Sequence, residues 1–431
     1  MKFAIFLGCL IPFRLPSLEI TARRVLNRLG VELEDVSDFS CCPNTIAVEP
    51  VSEDYWYFLA ARNLALAEMR GLDILCLCSG CSESLKKANF ELNRNPDLRG
   101  RVNSKLSEIG LKYNGNVEVK HFVEVLIEMG LDAIREKIVY PLHGLKVACH
   151  YGCHLLRPSE VILFDNPLKP VSLDKLVQIL GAETIEYENK MLCCGSGLGL
   201  VKSDEALLLS KRKLDEVKNK ADCLVVVCPS CFQQYDSVQK LMKEKPDVPV
   251  FYYLELLGLA LGIEPESLGL STHKISVSNL VNRINESIES LKVLSEFFDL
   301  AVLKNCARCG ACSSDCPVAG ETFNPHQIVK MLLEGKLKEV LDAGEFWRCT
   351  QCYTCHELCP QNMGLIEIFS KLKSMVSEKE LIPEDIRNQA ASVLNNGFAI
   401  APSLALRKRF DLPEPPKPNL DKIKRLVKGD V

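Results

Sequence analysis

The chain has no apolar run of the roughly 20 residues that a membrane-crossing helix requires. Its longest later candidate, LELLGLALGI (254–263), is too short and contains Glu255. It also has little excess charge. Lys and Arg number 52 against 56 Asp and Glu, for a net charge of −4. With no basic block carrying interleaved aromatics, a nucleic-acid partner is not expected. A complete GxGxxG is missing too: GSGLG (195–199) follows a cysteine pair, so no flavin or nicotinamide site is expected in this chain. The opening MKFAIFLGCLIPF has the lysine and apolar run of an export signal. That run stops at Arg14 without a small-x-small cleavage site, and it reads instead as a buried first strand.

What the sequence has in abundance is cysteine, 21 in 431 residues. The odd number suits disulfides badly, and a chain without an export signal is expected in the cytoplasm, where thiols serve as metal ligands more often than as cross-links. The length suggests two to four domains of about 100 to 200 residues. Cys193 and Cys194, in MLCCGSGLG, are neighbours. Adjacent Cα atoms lie about 3.8 Å apart, whereas a disulfide asks for roughly 4.4 to 6.8 Å, so these two need another partner.

The first 265 residues or so contain one unit twice. FAIFLGC reads as a strand running to Cys9, SLEITARRVLNRLG as a helix stopped by Gly30, and VELEDV as a strand leading to Cys41 and Cys42. Next come a helix capped by Ser52 and ended near Gly71, and the strand LDILCLC running into Cys78 and Cys81. From residue 145 the order returns: KVACHYGC to Cys153, the helix SLDKLVQILG, the strand ETIEY, the pair Cys193 and Cys194, the helix SDEALLLSKRKLDEVKNKA, and CLVVVC into Cys228 and Cys231. VEVKHFVEVL and VPVFYYLELL close the two copies with a strand and a helix.

Strands alternating with helices predict parallel sheets with right-handed crossovers. All such strands end at one edge, where open α/β folds bind ligands. Each copy should bring five cysteines together there, with the CxxC pairs opening helices whose amides favour thiolate sulfur. Five thiolates exceed the four of a zinc site and point to a multi-iron cluster. A buried small hydrophobe explains one or two such cysteines, but not matched sets of five.

The third part differs. CARCGACSSDCP holds Cys306, Cys309, Cys312 and Cys316; CTQCYTCHELCP holds Cys349, Cys352, Cys355 and Cys359. This C-x2-C-x2-C-x3-C-P spacing is the bacterial two-cluster 4Fe-4S signature, in which the fourth cysteine of each run serves the other cluster. One cluster then takes Cys306, Cys309, Cys312 and Cys359, and the other Cys349, Cys352, Cys355 and Cys316. The segment between the runs reads as helical. Cys352 to His356 fits the CxxCH haem pattern, but it lies inside a complete iron–sulfur run. Cys76, Cys149 and Cys223 fall in apolar strands and read as core.

The two five-cysteine units resemble the CCG domains of the B-type subunit of heterodisulfide reductase, in FLGCLIPFR, SCCPNTIAVEP, LDILCLCSGC, HYGCHLLRPSE, LCCGSG and VCPSCFQQYD. Residues from about 300 onward resemble the C-type subunit of that enzyme, in the paired cluster motifs and the tail LRKRFDLPEPPKP. The first pair reads CCP rather than CCG, as B-type subunits also tend to show. The resemblance implies α/β duplicated parallel-sheet CCG domains followed by an α-helical ferredoxin-like domain. Its boundaries are a first CCG domain at 1–143, a second at 144–268, a linker at 269–295, the ferredoxin-like domain at 296–375 and a helical tail at 376–431.

It also implies two noncubane 4Fe-4S clusters, one on Cys9, Cys41, Cys42, Cys78 and Cys81 and one on Cys153, Cys193, Cys194, Cys228 and Cys231, beside two cubane 4Fe-4S clusters. The implied reaction is reduction of the coenzyme M/coenzyme B disulfide to two thiols. His154, directly after Cys153, is the candidate proton source, with a surface or hydrogen-bonding histidine as the alternative; Arg14, Arg157 and Lys202 lie near the cysteine loops and are candidates to meet anionic substrate groups, although a solvated charge is the favoured reading for any one of them. The expected partner is a flavin-containing heterodisulfide reductase A-type subunit, with hydrogenase or formate dehydrogenase beyond it. Related CCG proteins support a different reading, an electron-transfer subunit acting on another disulfide or a quinone. A structural zinc protein would require the ferredoxin spacing to be accidental.

Overall fold

A computed structural model describes the whole chain except residues 305, 307–308, 378–380, 401–404, 411–412 and 428–431. Parts of the CARCGACSSDCP run and of the expected C-terminal tail therefore lie outside the described residues. The chain divides into two compact units, Met1–Glu289 and Ser290–Val431.

The first unit holds two parallel four-stranded sheets built alike. β1 (Lys2–Phe6), β2 (Glu32–Asp35), β3 (Asp73–Cys76) and β4 (Val119–His121) lie in the order β2-β1-β3-β4. β5 (Lys146–His150), β6 (Glu183–Ile185), β7 (Cys223–Val226) and β8 (Val250–Tyr252) repeat that order as β6-β5-β7-β8. The registers also correspond: Phe3 pairs with Asp73 on β3, and Val147 with Cys223 on β7. β1 is buried from Phe3 to Phe6, β5 from Val147 to His150, and β7 throughout. Central strands hidden on both faces need helices on both sides, which is why they read as continuous apolar runs.

Local signals set the helices. Pro16 sits at the first position of helix Pro16–Leu29, and Gly30 ends it at φ 89° in the left-handed region. The Ser52 hydroxyl accepts from Tyr55 N at 3.3 Å to open helix Glu53–Glu68. Asn95 does the same for Leu98 N at 3.0 Å, opening Pro96–Ser107.

The repeats grip each other by an exchange of helices. Helix Tyr253–Ala260 of the second packs on Pro16–Leu29 of the first, and Phe122–Met129 of the first packs on Ser172–Ile179 of the second. Thr21 Oγ1 donates to Leu268 O at 2.7 Å at one of these seams. One continuous core runs through both sheets. Each Leu or Phe fully withdrawn from water there contributes about 1.5–3 kcal/mol.

Two expectations change. The strand expected to run to Cys9 stops at Phe6, because Gly8 turns the chain at φ 65° and Cys9 begins a short helix, Leu10–Arg14. The linker at 269–295 contains most of the 20-residue helix Ser278–Phe297, whose Leu280, Val281 and Ile284 join the core of the repeats.

The second unit is helical. Helices Pro325–Leu333 and Leu337–Ala343 separate the two cysteine runs, and Leu365–Ser377 follows the second. Phe323, Val329, Leu332, Phe346, Phe369 and Leu372 are buried in it. The tail contains helices Glu384–Asn396, Ala405–Arg409 and Leu420–Val427. No described helix is long and apolar enough to cross a membrane.

Candidate metal centres

Every cysteine of the repeats is a free thiol, and those of the two quintets form one unbroken string of sulfur contacts. It runs from Cys9 to Cys41, Cys42, Cys81 and Cys78 in the first repeat. Cys78 Sγ then lies 3.9 Å from Cys228 Sγ, and the string continues through Cys231, Cys194 and Cys193 to Cys153 in the second. Its centre is buried: Cys42, Cys78, Cys81, Cys194, Cys228 and Cys231 are hidden, whereas Cys9 and Cys193 are exposed.

The backbone makes room for this crowding. A Cβ on Gly8 would stand 2.7 Å from Cys81 Sγ, and one on Gly152 would stand 3.6 Å from Cys231 Sγ. Gly195, at φ 86°, lies against the Ala206 backbone and lets the chain turn straight after the pair. Cys78 and Cys228 cap helices Ser79–Arg94 and Pro229–Asp236. Behind the sulfurs, Trp56 Nε1 donates to Ser84 Oγ at 2.9 Å, and Ser84 Oγ to Cys42 O at 2.8 Å. In the second repeat Gln234 Nε2 reaches Ser210 Oγ at 2.9 Å, which reaches Cys194 O at 2.8 Å.

Thiols this close share protons. Hydrogen bonds from Cys41 and Cys81 pull the Cys42 thiol down to about 5. Those from Cys153 and Cys194 lower Cys193, and Cys231 and Cys78 lower Cys228. The neighbouring sulfur, then burial, pushes Cys9 up. Full ionisation of either quintet would gather five negative charges in a largely buried space, a cost that coordination of the thiolate sulfurs to metal offsets. The donor set is all thiol, which suits iron–sulfur chemistry.

Two basic groups beside the second quintet were not expected from their place in the sequence. His150 Nε2 lies 3.3 Å from Cys231 Sγ, and Lys213 Nζ lies 2.7 Å from His150 Nδ1 and 2.9 Å from Lys190 O. Both side chains are buried. Burial pulls Lys213 down to about 7 against the pull of Cys231, Cys194 and Cys193.

His154 is half-buried, with Nδ1 3.7 Å from Glu83 Oε2 across the repeats. Thr45 Oγ1 also donates to Glu83 Oε2, at 3.0 Å, and burial raises the Glu83 carboxyl above its ordinary range. Arg14 and Lys202 are exposed, while Arg157 Nε is buried without a partner among the described residues. Cys76, Cys149 and Cys223 are fully buried in β3, β5 and β7.

In the second unit, Cys306, Cys309, Cys312 and Cys359 line one cavity, with Val329 and Met363 as part of its wall. Cys316, Cys349, Cys352 and Cys355 line another, beside Phe323 and Phe369.

A duplicated cysteine-rich α/β unit followed by a helical two-run cysteine motif defines an iron–sulfur oxidoreductase component. Residues 3–86 and 147–236 match the cysteine-rich CCG domain family, and residues 302–363 match the 4Fe-4S dicluster domain family. The B-type subunit of the ferredoxin:CoB-CoM heterodisulfide reductase of Methanosarcina mazei is 39% identical over 293 residues, 66% of this chain and 97% of that protein. The chain belongs to the family of heterodisulfide reductase B-type subunits and carries a C-type part behind it.

For that part, a C-type iron–sulfur subunit of the CoB-CoM heterodisulfide reductase of Methanocaldococcus jannaschii is 32% identical over 136 residues, 31% of this chain and 73% of that protein. The "8-methylmenaquinol:fumarate reductase membrane anchor subunit" of Wolinella succinogenes is 33% identical over 65% of this chain and 99% of its own length. A crystal structure of a hypothetical protein from Helicobacter pylori shares the fold at a TM-score of 0.52 and 18% identity, over 64% of this chain and 52% of that one.

Proposed function

We propose that this chain is the disulfide-cleaving component of a heterodisulfide reductase, with the mixed disulfide of coenzyme M and coenzyme B as its substrate, the pair named in its relatives. The observation that carries the reading is the 3.9 Å approach of Cys78 to Cys228, which joins both quintets at one place. Reduction of one disulfide to two thiols consumes two electrons and two protons. Two centres at one place answer the need for a pair of single electrons.

Cys9, Cys41, Cys42, Cys78 and Cys81 would hold one noncubane 4Fe-4S cluster, and Cys153, Cys193, Cys194, Cys228 and Cys231 the other. Two cubane clusters would lie on Cys306, Cys309, Cys312 and Cys359 and on Cys316, Cys349, Cys352 and Cys355. Bound there, such clusters supply single electrons and iron that accepts sulfur. The protein's own part is to place the thiolates, hold a proton at His154 beside Glu83, and offer Arg157 to an anionic substrate group. With no flavin motif in the sequence, a flavin-containing A-type subunit would deliver the electrons, with hydrogenase or formate dehydrogenase beyond it. Free thiols throughout suit the reducing cytoplasm.

The test is stopped-flow oxidation of the anaerobically reduced protein by a panel of disulfides and quinones. Fast reoxidation by the coenzyme M/coenzyme B disulfide alone supports the reading. Fast reoxidation by a quinone with indifference to disulfides favours the second reading, an electron-transfer component of another redox complex, to which the Wolinella succinogenes relative points.

A further inference from the structure

The two quintets look equivalent in sequence, but the groups behind them differ. At the second, Lys213 Nζ donates to Lys190 O at 2.9 Å and lies 2.7 Å from His150 Nδ1, and His150 Nε2 stands 3.3 Å from Cys231 Sγ. An ammonium has donors only. In its charged form Lys213 therefore makes Nδ1 the acceptor of that bond, and the imidazole proton then stands on Nε2, facing the sulfur. The ring cannot easily swing away, since Tyr235 meets it edge-on with centroids 5.1 Å apart. Lys213 Nζ lies 5.8 Å and 5.9 Å from the Tyr187 and Tyr235 ring centroids, and no carboxylate among the described residues accepts from it. The sulfurs of Cys231, Cys194 and Cys193 act on it more strongly than the Glu216 carboxylate does.

The first repeat has neither group. Phe6 ends β1 where His150 ends β5, in strands of 5 residues each. Asn63 occupies in helix Glu53–Glu68 the place of Lys213 in Ser203–Lys218, both of 16 residues. The Asn63 amide is spent on the backbone, donating to Cys41 O and accepting from Ser40 N, each at 3.0 Å. Among the described residues, no side-chain N–H donates to a sulfur of the first quintet.

We propose that Lys213 and His150 are positioning residues that give the cluster on the second quintet a higher reduction potential than the cluster on the first. The inference rests on the proposed function, in which each quintet holds a cluster. A hydrogen bond to a cluster sulfur, and a fixed positive group behind it, favour the more negative reduced state. The step is the uptake of one electron from a one-electron iron–sulfur donor, with no bond made or broken. The first electron to arrive rests in the second repeat, and the two substrate sulfurs then face inequivalent centres.

The experiment is an EPR-monitored potentiometric titration, with iron analysis, of the anaerobically purified full chain and its H150F, K213N and H150Q variants. H150F and K213N install the first repeat's own residues; H150Q keeps an N–H donor. The expected result is that H150F and K213N lower the higher of the two quintet-associated midpoints toward the other, by about 59 mV per tenfold loss of electron affinity. H150Q should restore most of that shift, and the ferredoxin-type midpoints should not move. Unchanged midpoints at full iron content overturn the proposal, as does a shift of the lower midpoint instead. Loss of iron from both H150F and H150Q also overturns it, by making His150 a ligand. If H150F does not fold, K213N decides by the same criterion. A wild-type chain with no iron at the quintets removes the proposed function, and this inference with it.

Discussion

Cys78 and Cys228 meet sulfur to sulfur at 3.9 Å although 150 residues separate them. Each caps the helix that opens its CxxC motif, so the contact lies where the two copies of one unit turn the same corner toward each other. The quintets are therefore one connected structure, exposed at Cys9 and at Cys193, and a change at one ligand should be felt by its own set first and by its neighbour second.

Cys194→Ser tests that order. Its thiol lies 3.4 Å from Cys231 Sγ within the second quintet. The variant should lose the second quintet's EPR signal and disulfide-driven reoxidation, and keep both ferredoxin-type signals. Iron per chain should fall by about one cluster in four, as the proposed cofactor content of paired quintets and paired runs implies.

In the second unit, Cys359 lines the cavity of Cys306, Cys309 and Cys312 rather than that of its own run. C359S and C309S should therefore delete the same cubane signal, and C316S should delete the one that C352S removes. Pairing within each run instead would make C359S and C352S the matching pair.

Gly8→Ala should damage the first centre alone. Gly8 lies at φ 65°, which costs a residue with a Cβ about 1–2 kcal/mol, and the new Cβ would stand 2.7 Å from Cys81 Sγ. We expect a lower denaturation midpoint and loss of the first quintet's iron, with the second quintet's signal retained.

The strand and helix order was legible because central parallel strands are apolar throughout and the helices carry local caps such as Ser52 and Gly30. The cysteines were legible because their spacing recurs. His150 was not: in KVACHYGC it stands inside an apolar strand, where only the register and the place of Cys231 show what its ring faces. Lys213 sits among SKRKLDE, a stretch with five charged residues in seven in which no local pattern marks one of them as buried, and its burial is a tertiary fact. Helix Ser278–Phe297 did leave a trace, Leu280, Val281 and Ile284 at helical spacing, within the segment read as a linker.

Stability should depend on pH through His273. Burial disfavours its charged form, but the Glu255 carboxylate, with Oε1 2.9 Å from Nε2, and then Asp236 outweigh that and raise it above its ordinary 6.5. A raised folded value means that the pair's contribution is fully present below about pH 6.5 and is lost as pH rises through the folded value. Urea midpoints measured from about pH 6 to pH 9 should fall more in the wild type than in H273Q. Parallel curves would refute the assignment.

His154→Asn separates proton delivery from cluster assembly. His154 follows Cys153 in sequence, yet its Nδ1 is held 3.7 Å from Glu83 of the other repeat, and Glu83 is in turn held by Thr45. Two side chains of the first copy, Glu83 and Thr45, thus stand behind an imidazole carried by the second, and that imidazole and Cys78 Sγ both lie against Gly80. Each turnover needs two protons, and a positioned acid is typically worth 10²–10⁴-fold in rate. With His154 as that acid, H154N should lower kcat by about a hundredfold or more, with iron content and all midpoints unchanged. E83Q should lower it less, since the imidazole stays in place without its carboxylate partner. A drop in iron in step with the rate would instead make His154 a structural support for Cys153, and unchanged turnover in both variants would move proton delivery elsewhere.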